Sequence, residues 1–188
     1  MFILLFQIRR KDQTLLFHIF EGIYFYLIWF MQKFQKLVNN SFLFRIYLLK
    51  SLPMAYIAGI RVKELSDERA ITKIKFGWLT QNPFRSMYFA CQAMAAEMST
   101  GLLVMNAIYN STPAVSMLIV QNKATYFKKA IGKITFTCND GNHITEIIAK
   151  VKQEGEGITT DLKSIGVDEH GDIVAEFIFT WSLKAKSR

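Results

Sequence analysis

Apolar and polar positions alternate most cleanly near the end of the chain. Over residues 173–184, Ala175, Phe177, Phe179, Trp181 and Leu183 fall on one face, and Glu176, Thr180, Ser182 and Lys184 on the other. A period of two with one apolar face predicts a strand covering a core. The same alternation recurs over 71–78, where Thr72, Ile74, Phe76 and Trp78 oppose Ile71, Lys73 and Lys75. It recurs again over 133–139, where Ile134, Phe136 and Cys138 oppose Lys133, Thr135 and Thr137. Residues 114–126 predict a further strand, and 58–63 and 158–165 read as extended. Turn residues punctuate these runs: a loop over 80–85 with Pro83, a cluster at 110–113, Asp140-Gly141, and 168–172 with Gly171.

Three stretches carry the longer helical period. Residues 86–108 run without proline, are rich in Ala and Met, and are apolar all round, which predicts a helix buried on most sides. Its small residues Ala90, Ala93, Ala95, Ala96 and Gly101 let strands approach closely. Gln92, Glu97, Ser99 and Thr100 in its middle argue against a membrane span. Residues 32–50 place Phe34, Leu37, Val38, Phe44, Tyr47 and Leu48 at helical spacing, with Pro53 as the stop. Ile144, Ile147, Ile148 and Val151 follow i, i+3, i+4, i+7, the signature of a short amphipathic helix. The sum is an α+β chain: one long central helix beside an antiparallel sheet, with an N-terminal helical extension.

Length and charge sharpen this picture. A chain of 188 residues suits one well-buried domain and an extension. Residues 1–50 hold seven Lys/Arg (Arg9, Arg10, Lys11, Lys33, Lys36, Arg45, Lys50) against Asp12 and Glu21, a net +5 of the total +8. The basic excess therefore sits on an aromatic-rich leader rather than on a folded face, which disfavours nucleic acid as a partner. Nine of the 16 Phe also fall in this quarter. Residues 1–31 read as a hydrophobic leader separate from a domain over 32–188. Three readings of the leader stay open: translated sequence upstream of a true start at Met31, a membrane anchor with Arg9, Arg10 and Lys11 on the cytoplasmic side, or an interfacial amphipathic helix. Membrane association is expected only if the leader is real.

Cys91 and Cys138 lie far apart in apolar stretches, and His18, His143 and His170 form no pair at ligand spacing. Core thiols, no metal site, no cofactor and a reducing, cytoplasmic location are the expectation.

Function enters through five segments. Asn82-Pro83-Phe84-Arg85-Ser86-Met87-Tyr88-Phe89-Ala90, the AMAAEMSTG of 93–101, and Lys123-Ala124-Thr125-Tyr126-Phe127-Lys128-Lys129-Ala130-Ile131-Gly132 resemble the hot-dog-fold thioesterase superfamily. So do Gly171-Asp172-Ile173-Val174-Ala175-Glu176-Phe177 and Trp181-Ser182-Leu183-Lys184. More narrowly they resemble an uncharacterised branch, a domain of unknown function, similar to phenylacetate-pathway-type thioesterases. The resemblance spans roughly residues 33–188. It implies five or six antiparallel strands wrapped around the central helix. It also implies a homodimer joined through its sheets, which can pair into a tetramer, with acyl-thioester pockets at the subunit interface.

In the phenylacetate-pathway type a His-Gly-Gly opens the helix and a carboxylate follows after six intervening residues. That spacing puts Tyr88-Phe89-Ala90 at the motif and Glu97 at the carboxylate. The chain departs from the motif, with Tyr88 for histidine and Phe89 and Ala90 for glycines. A backbone N–H at Phe89 or Ala90 would polarise the thioester carbonyl. Glu97, the one carboxylate of an otherwise apolar or neutral helix, is either the catalytic group or a structural residue bonded to buried backbone or to a dimer contact.

The remaining candidates have paired readings. Ser99 and Thr100 either orient water near Glu97 or simply pack, and Tyr88 joins them as a pocket residue. Asn82 is a pocket contact or a turn and cap residue. Lys128, Lys129 and Arg85 meet coenzyme A phosphates or are solvated. The expected function is hydrolysis of an acyl-CoA or acyl-carrier-protein thioester; the alternative is a non-catalytic hot-dog module that binds an acyl chain or a protein partner.

Overall fold

The computed structural model describes residues 34–154 and 156–186. The leader over 1–31 lies outside the described residues. Three short helices come first: α1 (Phe34–Asn39), α2 (Ser41–Ser51) and α3 (Pro53–Ile57). The single helix expected over 32–50 is thus divided. Asn40 leaves helical geometry and its Oδ1 accepts the Leu43 N–H at 3.1 Å, so it caps a new helix within the run. Pro53 opens α3 instead of only closing what precedes it, because a proline in the first turn lacks an N–H that has no helical partner there anyway. Asn39 then ties this extension to the sheet: its side-chain amide donates to Leu65 O and accepts from Leu65 N–H, both at 2.8 Å.

Six strands form one antiparallel sheet: β1 (Arg61–Leu65), β2 (Ala70–Lys75), β3 (Val115–Tyr126), β4 (Lys133–Cys138), β5 (Ile158–Val167) and β6 (Ile173–Ala185). Their order is β1-β2-β4-β5-β6-β3, which leaves β1 and β3 at the edges. The long helix α4 (Phe89–Ile108) lies along the inner face, and α5 (Gly141–Glu154) crosses from β4 to β5. This is the hot-dog arrangement implied by the resemblance, with the N-terminal helices added.

Register follows from which face is apolar. In β6, Ala175, Phe177, Phe179, Trp181 and Leu183 are all buried, as the alternation predicted. Phe136 of β4 meets Phe177 edge-on at 5.8 Å between ring centres, and Tyr126 of β3 meets it at 5.6 Å. Burying one such ring contributes about 1.5–3 kcal/mol relative to leaving it in water. The helix is fastened to this core by polar contacts too. Thr72 Oγ1 donates to Ala95 O at 2.7 Å, Ser99 Oγ lies 2.8 Å from Ser164 Oγ, and Trp181 Nε1 donates to Thr100 Oγ1 at 3.2 Å. Small residues let the layers close: a methyl at Gly166 of β5 would enter the Phe136 ring.

Three boundaries differ from the pattern. The stretch read as extended over 58–63 begins as the end of α3, with Ala58 its C-cap and Gly59 at φ 75°, so that β1 starts at Arg61. The strand expected to reach Trp78 stops at Lys75, and Trp78 is 82% exposed instead of sharing the inner face. Thr80 causes the departure: its Oγ1 accepts the Gly77 N–H and donates to Lys75 O, both at 3.0 Å, curling Trp78–Thr80 into a 3₁₀ turn. The helix expected from residue 86 begins at Phe89, because Met87 N–H is bonded to Ala130 O and Tyr88 N–H to Thr80 O. Among the described residues no helix is long and apolar enough to cross a membrane.

Candidate active site

The start of α4 is built by the loop before it. Asn82 organises that loop: its Oδ1 accepts the N–H groups of Phe84 (2.9 Å) and Ser86 (3.3 Å), and its Nδ2 donates to Ser86 Oγ at 3.0 Å. Arg85 takes a left-handed backbone conformation (φ 57°) at the tip of this turn. The chain then runs extended through Met87, bridged to Gln81, until Tyr88 turns it into the helix. Tyr88 supplies no side-chain cap. The Cys91 N–H closes back on Tyr88 O, while the Phe89 and Ala90 N–H groups have no partner among the described residues. A helix start with open N–H groups attracts a partial or full negative charge.

Beside these N–H groups lies a cleft of about 460 Å³, walled by the 82–89 segment, Gln92, and the end of β3 with its following loop over 126–130. Apolar and aromatic groups dominate the walls. Tyr88 and Phe89 meet edge-on at 4.8 Å between ring centres at its margin. Gln92 is buried, and its Nε2 donates to Met87 O at 3.4 Å. Its Oε1 is the one buried side-chain polar atom without a hydrogen-bond partner among the described residues.

The candidates from sequence divide at this cleft. Asn82, Tyr88, Phe89, Lys128 and Lys129 line it; Ala90, Arg85, Glu97, Ser99 and Thr100 do not. Lys128 Nζ is bonded to Asp168 at 2.8 Å and Asp172 at 2.7 Å, so it holds the turn between β5 and β6. That ammonium, with backbone N–H groups beside it, keeps Asp168 down at about 2. Lys129 Nζ donates to Phe84 O, at 3.3 Å, and has no carboxylate partner among the described residues.

Glu97 is half-buried on the helix flank that also carries Ala90, since seven residues return to nearly the same face roughly 10 Å along the axis. Gln92 lies about 140° away around the helix. The Glu97 carboxylate has no hydrogen-bond partner among the described residues, and burial pushes its pKa up. It rests over Gly101, where a Cβ would stand 3.1 Å from Oε1 and 3.4 Å from the Trp181 ring. The carboxylate therefore lies along the helix toward Gly101, beside the Trp181 ring. Ser99 and Thr100 do not reach it: their hydroxyls donate to Ala96 O and Glu97 O within the helix.

The thiols play no part in this geometry. Cys91 and Cys138 are buried and unpaired, and burial pushes Cys138 up to about 12. Among the described residues no three His, Cys, Asp or Glu side chains converge as a metal site requires. The residue that sequence reasoning misses is Gln92. Its signal is visible there as an amide in an apolar helix, but on sequence alone it argues only against a membrane span.

Comparison with known proteins agrees with this picture. The family described as Domain of unknown function (DUF4442) matches residues 41–183. No curated protein matches the chain. Among solved structures, protein PA5026 of Pseudomonas aeruginosa, described as of unknown function and a probable thioesterase, superposes with a TM-score of 0.66. The two are 19% identical over 76% of this chain and 95% of that one. A Shewanella oneidensis protein gives a TM-score of 0.63 at 10% identity, over 80% and 99% of the two chains. Thioesterase HI1161 of Haemophilus influenzae gives 0.55 at 12% identity, over 74% and 88%. At such identities these likenesses speak for the shared fold.

Proposed function

The chain belongs to the DUF4442 family, and from that membership and its hot-dog fold we propose that it hydrolyses acyl thioesters of coenzyme A or of an acyl carrier protein. The observation that carries the proposal is the pair of unpartnered N–H groups at Phe89 and Ala90, opening beside an apolar cleft. A thioester carbonyl oxygen accepting there gains most when it becomes an oxyanion, which is what accelerates acyl transfer. The structural neighbours whose names describe thioesterases support the same class.

In this mechanism Glu97 is the general base. It takes a proton from water as the water oxygen attacks the carbonyl carbon; the C–S bond then breaks with its electron pair on sulfur, and the proton passes to the departing thiolate. A carboxylate raised by burial is a stronger base than an ordinary one, which suits it to that role. Lys129 at the rim, with Arg85 beyond the cleft wall, would meet the phosphate of the carrier, while Lys128 is already paired with Asp168 and Asp172. The proposal includes a homodimer through the edge strand β3, where Leu118 and Val120 are 66% and 53% exposed and the outer backbone edge has no strand beside it among the described residues. It locates the reaction in the cytoplasm, in keeping with two unpaired thiols.

One observation favours a second reading, a non-catalytic module that holds an acyl chain: Glu97 is not among the cleft walls. Thiol release from a panel of acyl-CoA esters by the wild type and Glu97→Gln separates the two. Turnover that falls 100-fold or so in a folded Glu97→Gln variant supports the hydrolase. Turnover that survives the substitution removes Glu97 from the mechanism, and no turnover on any ester or carrier protein leaves the binding module. Sedimentation of Val120→Lys, expected to be monomeric where the wild type is dimeric, tests the β3 edge.

A further inference from the structure

The amide of Gln92 is oriented by its surroundings. Met87 O can only accept, so the end that faces it is the NH₂ group, and the end left over is the carbonyl Oε1. Gln92 is only 4% exposed, lines the cleft, and has nothing bonded to Oε1. A buried acceptor in that position is unfavourable unless something donates to it. The helix start thus offers two complementary features. The Phe89 and Ala90 N–H groups need an acceptor, and one turn on, Gln92 Oε1 needs a donor.

The spacing limits what can satisfy both. Gln92 follows Phe89 by three residues, about 4.5 Å along the axis, and its side chain leans back toward the helix start. A thioester carbonyl held at the N–H groups has its sulfur on one side. In thioesters of a phosphopantetheine arm, two carbons follow the sulfur and then comes an amide N–H, roughly 5 Å from the carbonyl carbon. That N–H is a donor at a matching distance, and coenzyme A and acyl carrier proteins share it. An acyl chain, by contrast, offers plain hydrocarbon at that distance unless it is hydroxylated.

We propose that Gln92 is a specificity-determining residue whose Oε1 accepts the first amide N–H of the thiol-side arm, so that the cleft takes the pantetheine limb of the substrate. The inference rests on the thioester reading above and deepens it. It gives the cleft to the leaving group, and leaves the Ala90–Glu97 flank of α4 to the attacking water. The apolar walls then contact the methylene and dimethyl portions of the arm, and Lys129 stands at the rim where its phosphate emerges.

Two small thioesters with the same acyl group test it: one of N-acetylcysteamine, the other of 2-acetoxyethanethiol, in which the amide N–H is replaced by an ester oxygen. With uncatalysed rates subtracted, the wild type should favour the amide by about tenfold or more in kcat/KM, the loss expected when a buried acceptor stays unpaired. Gln92→Met should bring the ratio close to one, mainly by slowing the amide substrate. Gln92→Glu, which keeps an acceptor, should retain a preference for it. Urea midpoints of both variants confirm that they are folded.

Equal wild-type rates on the two esters would overturn the assignment while leaving the hydrolase intact. So would a Gln92-dependent preference for 3-hydroxybutyryl over butyryl esters without discrimination at the amide, since the donor would then lie on the acyl side. Absence of turnover by the wild type on these esters, on acyl-CoA and on acyl carrier protein alike would remove the thioester reading and this inference together.

Discussion

Replacing Gln92 with methionine should stabilise the unliganded protein. The two side chains have similar length, so the wall of the cleft stays filled. The substitution removes a buried carbonyl with no partner, which is unfavourable by about 1–3 kcal/mol. It also removes the Nε2 hydrogen bond to Met87 O, at 3.4 Å a long one, which contributes roughly 0.5–1 kcal/mol. Met87 O keeps a second donor, Asn82 Nδ2, also at 3.4 Å, so nothing new is left unpaired. The balance is a gain of about 1 kcal/mol, or about 2–4 °C in Tm for a domain of this size. Equilibrium unfolding in urea, with the slope unchanged between variants, reads it directly. A Gln92→Met variant less stable than wild type by about 1 kcal/mol or more would refute the reasoning: Oε1 would then be satisfied in the free protein and would not be waiting for a ligand. A gain in stability alongside lost discrimination is the trade expected of a binding residue.

Three further outcomes follow from other parts of the structure. Burial raises the Glu97 pKa above its ordinary 4.5, so its contribution to stability is full below that value and lost as pH rises through the folded value. Glu97→Gln should therefore gain on the wild type in urea midpoints as pH rises above 4.5, and a difference that does not change with pH would contradict it. Lys128→Ala should release Asp168 from about 2 toward the usual carboxylate range, followed by NMR titration of its carboxyl carbon, and an unmoved Asp168 would show that the backbone N–H groups alone hold it down. Gly166→Ala, whose methyl would enter the Phe136 ring, should lower stability by about 1–3 kcal/mol in a thermal melt, and a neutral result would mean the ring has room to move.

How much of this was legible depended on how each strand meets the helix. β6 announced itself because its inner face is large and apolar from Ala175 to Leu183, and the outer face polar. β5 read only as extended, and the reason is visible: of its buried positions only Leu162 is large and apolar, while Ser164 and Gly166 are small because the helix and the Phe136 ring come close there. A hydropathy pattern cannot register a position that is buried for lack of bulk. Boundaries failed where side chains compete with the backbone, as Asn40 and Thr80 do, since those bonds depend on groups brought together by the fold. Of the proposed site, the resemblance pointed to Tyr88-Phe89-Ala90 and Glu97, but nothing in the order of residues shows that Lys128 is already paired, or that Gln92 joins a cleft built by the distant loop over 126–130.

The central claim, that the start of α4 polarises a thioester carbonyl, is open to one direct measurement. An acyl-CoA labelled with carbon-13 at the carbonyl, bound to Glu97→Gln so that turnover is slow, can be followed by isotope-edited infrared difference spectroscopy. The account predicts a carbonyl band shifted to lower frequency than in water, because the Phe89 and Ala90 N–H groups hydrogen-bond its oxygen at a helix N-terminus. A bound ester whose band stays at or above its solution frequency would contradict it.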